Sequence, residues 1–342
     1  MACHGYAKGQ SAFEQTVERK AGALENMGIN KQSVLITGGL GNLGSWLTLH
    51  YSKRKYKVTV LTKSVRKLDF DEDFNILIAD IESITDIREK VDPTNYDIII
   101  HTASVNDGFV PDYYHNSLMV NTLGTRNFLE VLKGKFKGHF IYFSTFQVYG
   151  KYDGVITENT CLRPKNDYGN THLFSEFYLL QFGQTVNFPY SIIRLTNSYG
   201  CPKDINSSKW YLILNDLSKM AYKKQQIVLK SNGKAVRDFI WMQEVCEITE
   251  RLSLIEPTKD IFNLSGQKTF SMLEIALFVK NAYFRVYGKE INISVNNQDD
   301  TQPAGLSVKS EKIRSLLSYR FYEEKFEEEA IKIFKFLEAQ SK

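Results

Sequence analysis

The stretch SVLITGGLGNLGSW, residues 33–46, decides the fold. Its first five residues are mostly β-branched or apolar and predict a strand, and the residues from Trp46 onward predict a helix. Between them, Gly38 permits a tight turn, Gly41 lets backbone amides approach a diphosphate, and Gly44 lets the helix pack on the strand. We therefore predict a dinucleotide site with these contacts: Gly38, Gly41, Asn42, Leu43 and Gly44. The alternative is a glycine turn that binds no ligand.

Short β-rich runs continue to alternate with amphipathic stretches beyond this motif. The further predicted strands are residues 57–61, 75–79, 97–103, 139–145 and 190–196. The predicted helices are residues 85–91, 112–133 and 166–185. Strands separated by helices in this way form βαβ units. The sequence therefore predicts an α/β protein with a doubly wound parallel sheet, the Rossmann fold.

The order of elements loosens after residue 199, where we predict a second, smaller lobe. The expected elements are a helix over 207–222, short strands near Ile227 and Phe239, and an amphipathic C-terminal helix. The apolar side of that helix consists of Phe326, Ala330, Ile333, Phe334 and Leu337. The predicted division is an N-terminal extension over 1–30, a dinucleotide-binding domain over 31–196 plus about 236–265, and a C-terminal substrate-binding lobe over about 197–235 plus 266–342.

Composition and charge exclude several classes of protein. With 43% hydrophobic and 24% charged residues over 342 positions, the chain has the balance of a globular protein. This balance excludes a disordered chain, a collagen and a disulfide-stabilised miniprotein. A formal charge of +4 is too small to indicate a nucleic-acid or membrane surface, so we expect a small-molecule partner. Four widely spaced cysteines indicate reduced thiols and no metal site. No apolar run has membrane length and no signal peptide is recognisable, so a cytoplasmic location is expected.

The loop after the second predicted strand reads TKSVRK, residues 62–67. An acidic residue there would bind a ribose 2′-hydroxyl and repel a 2′-phosphate, but this loop has none. Its hydroxyl and cationic side chains suit a phosphate, so we expect NADP(H) to be favoured over NAD(H). The predicted contacts are Thr62, Lys63, Ser64 and Arg66. A solvated basic loop is the alternative.

Eight motifs follow one another in the order found in a known family. They are TGGLGNLG (37–44), DI (80–81), HTAS (101–104), NTLGTRN (121–127), STFQVYG (144–150), YGNTH (168–172), RLTNSYG (194–200) and RDFI (237–240). In this the chain resembles the extended short-chain dehydrogenase/reductases, the NAD(P)-dependent nucleotide-sugar epimerases, dehydratases and reductases. The resemblance implies an enzyme that transfers a hydride at a ring carbon of a nucleotide sugar, for polysaccharide or glycoconjugate synthesis.

The resemblance also implies binding residues. Asp80 and Ile81 would flank the adenine. The dinucleotide path would further include Thr102, Ala103, Ser104, Asn121 and Ser144. Asn197 and Arg237 would face the diphosphate of the substrate, although Arg237 has an ordinary ion pair with Asp238 as its alternative. His101, at the end of a buried strand, is expected to be structural.

The chemistry is expected at Thr145, Tyr168 and His172. Positions i and i+4 share a helix face, so Tyr168 and His172 can point into one cleft. The resemblance implies that the tyrosine hydroxyl exchanges a proton with the sugar while Thr145 hydrogen-bonds the reacting oxygen. The family has lysine where this chain has His172, and an imidazole is mostly neutral at pH 7 and activates a phenol less. A non-catalytic dinucleotide-binding regulator is therefore the competing interpretation.

A second departure narrows the reaction. The 4,6-dehydratases of this family have an acidic pair where this chain has Phe146 and Gln147, and neither side chain exchanges a proton at neutral pH. A nucleotide-sugar dehydratase is therefore disfavoured but stays as an alternative. Reduction, oxidation and epimerisation through a transient ketone all stay open. The resemblance further implies a homodimer joined through the helices near 112–133 and 166–185.

Overall fold

The computed structural model describes residues 32–66, 68, 70–105 and 112–340. The extension predicted over residues 1–30 and the loop residue Lys67 lie outside these ranges.

The chain folds into alternating strands and helices, with short pairs of strands in its second half. The strands are β1 Ser33–Thr37, β2 Lys57–Thr62, β3 Asn75–Ile78, β4 Ile98–His101, β5 His139–Thr145, β6 Gly154–Ile156, β7 Tyr190–Leu195, β8 Asn197–Tyr199, β9 Gln226–Val228, β10 Val236–Trp241, β11 Asp260–Leu264, β12 Thr269–Ser271, β13 Asn292–Ser294 and β14 Leu306–Val308. The α-helices are α1 Asn42–Lys53, α2 Ile84–Lys90, α3 Tyr113–Ser117, α4 Thr125–Leu132, α5 Asp167–Val186, α6 Ile213–Lys224, α7 Met242–Ser253, α8 Met272–Tyr287, α9 Glu311–Leu317 and α10 Phe326–Gln340.

Seven of the strands form one parallel sheet in the order β11-β7-β5-β4-β1-β2-β3. From β1 the chain moves outward through β2 to β3, and then returns to β4 on the other side of β1. In register, Ile36 of β1 pairs with Val60 of β2 and with Ile100 of β4. This arrangement confirms the predicted doubly wound α/β fold. The strand order reverses between β1 and β4, and ligands of such folds bind outside the carboxyl ends of the strands at this point.

Successive residues of β1 pack into two different cores. Val34 and Ile36 lie in a cluster formed with α1 and α7, whereas Leu35 lies in a cluster on the other face formed with α4 and α5. All three side chains are fully buried. A strand buried on both faces reads as a continuous apolar run, which is the pattern of β1, β4 and β5.

The second lobe has its own apolar core between α6, α8 and α10. All five residues predicted for the apolar side of the C-terminal helix are buried in it. Beside this core, β8, β10 and β12 form a three-stranded sheet. Because β8 begins two residues after β7 ends, the lobe follows directly from the carboxyl edge of the main sheet. The exact division of the chain between the lobes stays a prediction.

Two predicted helices differ in detail from the structure. The helix expected over 112–133 consists of α3, a π-helical segment Leu118–Gly124 and α4. Its wider turn leaves the Asn121 carbonyl free to accept hydrogen bonds from the hydroxyls of Thr125 and Ser175, both at 2.6 Å. The helix expected over 207–222 begins as a 3₁₀ turn and is interrupted at Leu212, whose backbone is extended. None of the helices in the described part of the chain combines the length and apolar character that a bilayer crossing requires.

Candidate active site

A cavity of about 760 Å³ opens at the carboxyl edge of the sheet, between the two lobes. The glycine turn after β1 lines one side, and the segment after β5 together with the start of α5 lines another. The end of β7 and the chain that follows it close the cavity with residues 195–198, 203–204, 207–209 and 211–212. The cavity therefore lies where a doubly wound sheet reverses its strand order, and it has a wall from each lobe.

The glycine turn has the shape that the sequence predicts. Gly38 has a φ of +67°, and a Cβ there would lie 2.8 Å from the Ala103 Cα. A Cβ on Gly44 would lie 2.2 Å from the Gly38 carbonyl oxygen, so α1 approaches β1 as closely as only glycine allows. Around Gly41 there is more space. Among the described residues, the Gly38 carbonyl oxygen, at 3.0 Å, is the single atom within 4 Å of a Cβ placed there.

The first amides of α1 are available to a ligand. Among the residues that the structure describes, no side chain caps this helix, whose N-cap residue is Gly41, and Asn42, Leu43 and Gly44 line the cavity. Uncapped amides at a helix N-terminus carry partial positive charge and bind phosphate oxygens. The residues present therefore fit the diphosphate of a dinucleotide.

The predicted cofactor residues fall into two groups. Thr62, Arg66, Thr102, Ser104 and Ser144 line the cavity together with the glycine turn. The other predicted residues are not among those that line it: Lys63, Ser64, Asp80, Ile81, Ala103 and Asn121.

Residues of the second group support the cavity from behind or pair with one another. Lys63 forms ion pairs with Asp80 at 2.9 Å and Glu82 at 3.1 Å, so two carboxylates offset its charge. Asn121 accepts a hydrogen bond from the Val105 amide at 2.7 Å and donates to the Thr171 hydroxyl at 3.0 Å. It thereby fixes the segment after β4 against α5.

The three predicted catalytic residues line the same cavity. Thr145 ends β5, and its hydroxyl oxygen accepts the Gln147 amide at 3.2 Å, which leaves its own proton to be donated. Tyr168 and His172 lie on the first turns of α5, where the Asn166 side chain caps the helix by accepting the Gly169 amide at 2.8 Å. The ring centroids of Tyr168 and His172 are 4.4 Å apart. The i, i+4 spacing therefore brings both rings to one place.

The imidazole of His172 is neutral in this environment. Its side chain is 2% exposed, and burial lowers its pKa from 6.5 to about 3. Its Nε2 lies 3.5 Å from the Ser104 hydroxyl, and its Nδ1 is buried with no hydrogen-bond partner among the described residues. His172 therefore provides hydrogen-bonding atoms but not the positive charge that a lysine would supply in its place.

His101 behaves as a structural residue. Its Nδ1 lies 2.8 Å from the Thr37 hydroxyl and its Nε2 lies 2.9 Å from the Thr125 hydroxyl. The ring stacks on Phe128 and on Tyr142, and burial lowers its pKa to about 3. Both nitrogens are satisfied, so the ring joins β1, β4 and α4.

A buried ion pair that sequence reasoning missed lies beside Ser144, the residue before Thr145. Arg194 of β7 binds Glu176 of α5 through two nitrogens, with Nη2 to Oε2 at 2.7 Å and Nε to Oε1 at 3.0 Å. Ser144 donates its hydroxyl to Glu176 Oε1 at 2.5 Å. The ion pair fixes α5 to β7, and the bond from Ser144 fixes α5 to the end of β5. An arginine inside the apolar strand YSIIRL was the available signal, because a buried charge requires a partner.

The predicted substrate residues lie at the other end of the site. Asn197 lines both the main cavity and a neighbouring one of about 170 Å³, which Arg237 also lines. Asp238 is buried, accepts hydrogen bonds from Thr196 at 2.6 Å and from the Gly266 amide at 3.0 Å, and has its pKa raised by burial to about 7. In the described structure no ion pair joins it to Arg237, whose side chain is exposed.

Comparison with known proteins identifies the family. The profile of the NAD dependent epimerase/dehydratase family matches residues 34–264, about two thirds of the chain. The chain belongs to this family. It is therefore an NAD(P)-dependent enzyme of the epimerase/dehydratase type, as the eight motifs indicate.

Over the described residues, no group of three or more His, Cys, Asp or Glu side chains is arranged to hold a metal ion.

Individual members of the family are distant in sequence but close in fold. A UDP-glucose 4-epimerase from Lactobacillus helveticus is 24% identical over 311 residues, which cover 84% of this chain and 91% of that protein. The UDP-glucuronic acid 4-epimerase of Bacillus cereus, solved with UDP-glucuronic acid and NAD, has a TM-score of 0.72 at 18% identity, covering 90% of this chain and 100% of that one. RMD from Pseudomonas aeruginosa, solved with NADPH, has a TM-score of 0.73 at 19% identity, covering 91% and 100%.

Proposed function

We propose that this family member transfers a hydride to and from carbon 4 of a UDP-linked hexose, and that the net reaction is epimerisation. One observation carries the proposal: the glycine turn, Thr145, Tyr168 and Asn197 line a single cavity. A phosphate-binding turn, a proton carrier and a candidate substrate residue thus share one space. Relatives named as 4-epimerases, from Lactobacillus helveticus and Bacillus cereus among others, support carbon 4 and UDP.

The residues that would hold the dinucleotide are the amides at the start of α1 and the polar side chains of Thr102, Ser104 and Ser144 along the cavity wall. When bound, the nicotinamide would accept and return the hydride and, in its oxidised form, carry a positive charge.

Tyr168 would carry the proton. A tyrosine hydroxyl ordinarily titrates near pH 10, so it acts as a base near neutrality only with a nearby positive charge. His172 is neutral and cannot supply that charge. Its Nε2 and the adjacent Ser104 hydroxyl would instead orient a hydroxyl of the bound cofactor. Thr145 would donate its proton to the reacting sugar oxygen, where negative charge develops.

The proposed preference for NADP(H) depends chiefly on Arg66. Its side chain lines the cavity and its one ion pair among the described residues is a long one, with Asp204 at 3.9 Å, whereas Lys63 is paired closely with Asp80 and Glu82. A guanidinium binds a phosphate through two parallel hydrogen bonds, and β2 ends without an acidic residue. The related RMD binds NADPH and the related Bacillus cereus epimerase binds NAD, so both cofactors suit this fold. Tighter binding of NAD(H) than NADP(H) would refute the preference.

A homodimer through α3 to α5 is proposed from the exposed apolar residues on these helices. Phe174 and Phe177 of α5 are 48% and 50% exposed, and Tyr114 and Leu118 are similarly open. An exposed cluster of large apolar side chains is typical of an interaction surface. The resemblance to paired enzymes supports a second copy of the chain as the partner. A reducing compartment such as the cytoplasm suits the described cysteines, which are all free.

Two alternatives are tested together with the main proposal. Dehydration is disfavoured because Gln147 occupies the acidic position and its Oε1 accepts a hydrogen bond from Asn166 Nδ2 at 2.7 Å. A non-catalytic regulator would have no use for a proton carrier in its cavity.

The purified protein should be incubated with NAD(H) or NADP(H) and a panel of nucleoside-diphosphate hexoses and 4-keto sugars. Nicotinamide absorbance and chromatography of the sugars would both be followed.

Each reaction gives a different result in this experiment. Epimerisation yields the C4 epimer without net change in absorbance, and this is the expected outcome. Net reduction consumes NAD(P)H, and dehydration yields a 4-keto-6-deoxy sugar. Dinucleotide binding with no altered sugar would refute the catalytic proposal and support the regulator.

A further inference from the structure

Residues 200–204, which we call the strap, run from the end of β8 along the cavity and rest on α1. A Cβ added to Gly200 would lie 2.6 Å from the ring of Trp46, so the strap backbone lies directly on the indole. On the other side, the Cys201 amide donates to Glu329 Oε2 at 2.7 Å, and Glu329 is buried in α10. The strap is therefore fixed both to the helix that follows the glycine turn and to the second lobe.

The strap presents a cation to the cavity. The Lys203 Nζ lies 3.8 Å from the centroid of the Trp46 ring, and Lys203 lines the cavity together with the glycine turn. Within the described ranges, no carboxylate lies within ion-pair distance of this nitrogen. The adjacent Asp204 lies instead 3.9 Å from Arg66 Nη1. Burial lowers the pKa of Lys203.

An anion in the cavity would stabilise an ammonium group in this environment. Contact with an indole face compensates only part of the free energy of removing the charge from water. The uncapped amides of α1 line the same cavity and also lack an acceptor from a capping side chain. Two sets of positive groups therefore face one space, and a ligand with several anionic oxygens would satisfy both.

We propose that Lys203 binds a diphosphate group in this cavity, with Trp46 holding its ammonium group in position. The diphosphate belongs either to the dinucleotide or to the nucleotide sugar, and the inference takes these ligands from the proposed function. In this role the strap links ligand binding in the first lobe to the second lobe through Glu329.

The test compares equilibrium binding to the full-length wild-type protein and three variants, without turnover. Lys203→Met keeps the aliphatic contact with Trp46 and removes the charge, whereas Lys203→Arg keeps a cation. Lys219→Met is the matched control, because Lys219 also lies over an indole, that of Trp210 at 4.9 Å, but does not line the cavity. NADP⁺, NAD⁺ and UDP are titrated separately by calorimetry, and thermal unfolding checks that each variant is folded.

We expect Lys203→Met to weaken binding of at least one ligand about tenfold, the effect of losing one charge-assisted hydrogen bond. Lys203→Arg should stay within about threefold of wild type, and Lys219→Met should bind as wild type does. Weakening confined to the two dinucleotides assigns Lys203 to the cofactor diphosphate, and weakening confined to UDP assigns it to the substrate.

Wild-type affinity of Lys203→Met for all three ligands would overturn this inference and leave the proposed function intact. A wild-type protein that binds neither dinucleotide would overturn the proposed function itself. Should Lys203→Met not fold, Lys203→Gln provides the same comparison with a polar neutral side chain.

Discussion

Replacement of His172 by glutamine should flatten the acid dependence of stability. Because burial lowers the pKa of His172 to about 3, the folded protein keeps this ring neutral while the unfolded chain protonates it near pH 6.5. Its contribution to stability is therefore complete above pH 6.5 and is lost as the pH falls toward 3. At about pH 5, roughly 1.5 units below the unfolded pKa, the loss is about 2 kcal/mol.

The measurement is the free energy of unfolding by urea, for wild type and His172→Gln, near pH 7.5 and near pH 5. Glutamine retains hydrogen-bonding groups beside Ser104 but does not titrate. Other buried histidines, such as His101, contribute to the loss of stability on acidification in both proteins. The difference between wild type and His172→Gln therefore reports on His172. We expect the free energy of unfolding of His172→Gln to fall by about 2 kcal/mol less than that of wild type between pH 7.5 and pH 5. For the control His115→Gln, at an exposed histidine, this fall should match that of wild type to within about 0.5 kcal/mol.

Equal acid dependence of wild type and His172→Gln would refute the neutral, buried imidazole. The role assigned to Tyr168 would then change too, because a solvated His172 could become protonated and supply the positive charge that the present geometry denies it.

Four further outcomes follow from the geometry. Glu176→Gln should lower the free energy of unfolding by about 3–5 kcal/mol in urea titration, since it leaves Arg194 buried without its carboxylate; a loss below about 1 kcal/mol would contradict the buried pair. Tyr168→Phe should slow turnover at least about a hundredfold in the sugar-product assay, and a near-wild-type rate would remove the phenol from the mechanism. Arg66→Ala should weaken NADP(H) about tenfold by calorimetry while NAD(H) stays within about twofold, and equal losses would dismiss the phosphate contact. Phe177→Glu should shift the protein from dimer to monomer in sedimentation, and an unchanged mass would place the interface elsewhere.

The main sheet and the glycine turn could be predicted from the sequence because their signals are local. The run from Ser33 to Gly44 contains its own strand, turn and helix start, and the structure shows the predicted tight turn at Gly38 and the predicted close packing at Gly44. The spacing of Tyr168 and His172 likewise determines their shared helix face. In these places the pattern of residues within one element was sufficient to predict the structure.

Features that depend on contacts between elements could not be predicted in this way. Glu176 lies on a helix and Arg194 lies on a strand. The sequence of either segment alone does not indicate that these two residues form an ion pair. The ion pairs of Lys63 arise because Asp80 and Glu82 follow the neighbouring strand, and they offset the charge of one of the cations of this loop. The burial of His172 is also a tertiary property, since the chain around it has no unusual composition.

The most direct test of the central claim follows one hydrogen atom. The hexose nucleotide identified in the panel would be prepared with deuterium at carbon 4, mixed with excess enzyme and quenched within the first turnover, and the cofactor examined by mass spectrometry. We predict that the wild-type protein yields reduced nicotinamide that contains deuterium, and that Tyr168→Phe yields it at least about a hundredfold more slowly. A converted sugar whose deuterium never reaches the nicotinamide, or transfer at the wild-type rate without the phenol, would contradict the account.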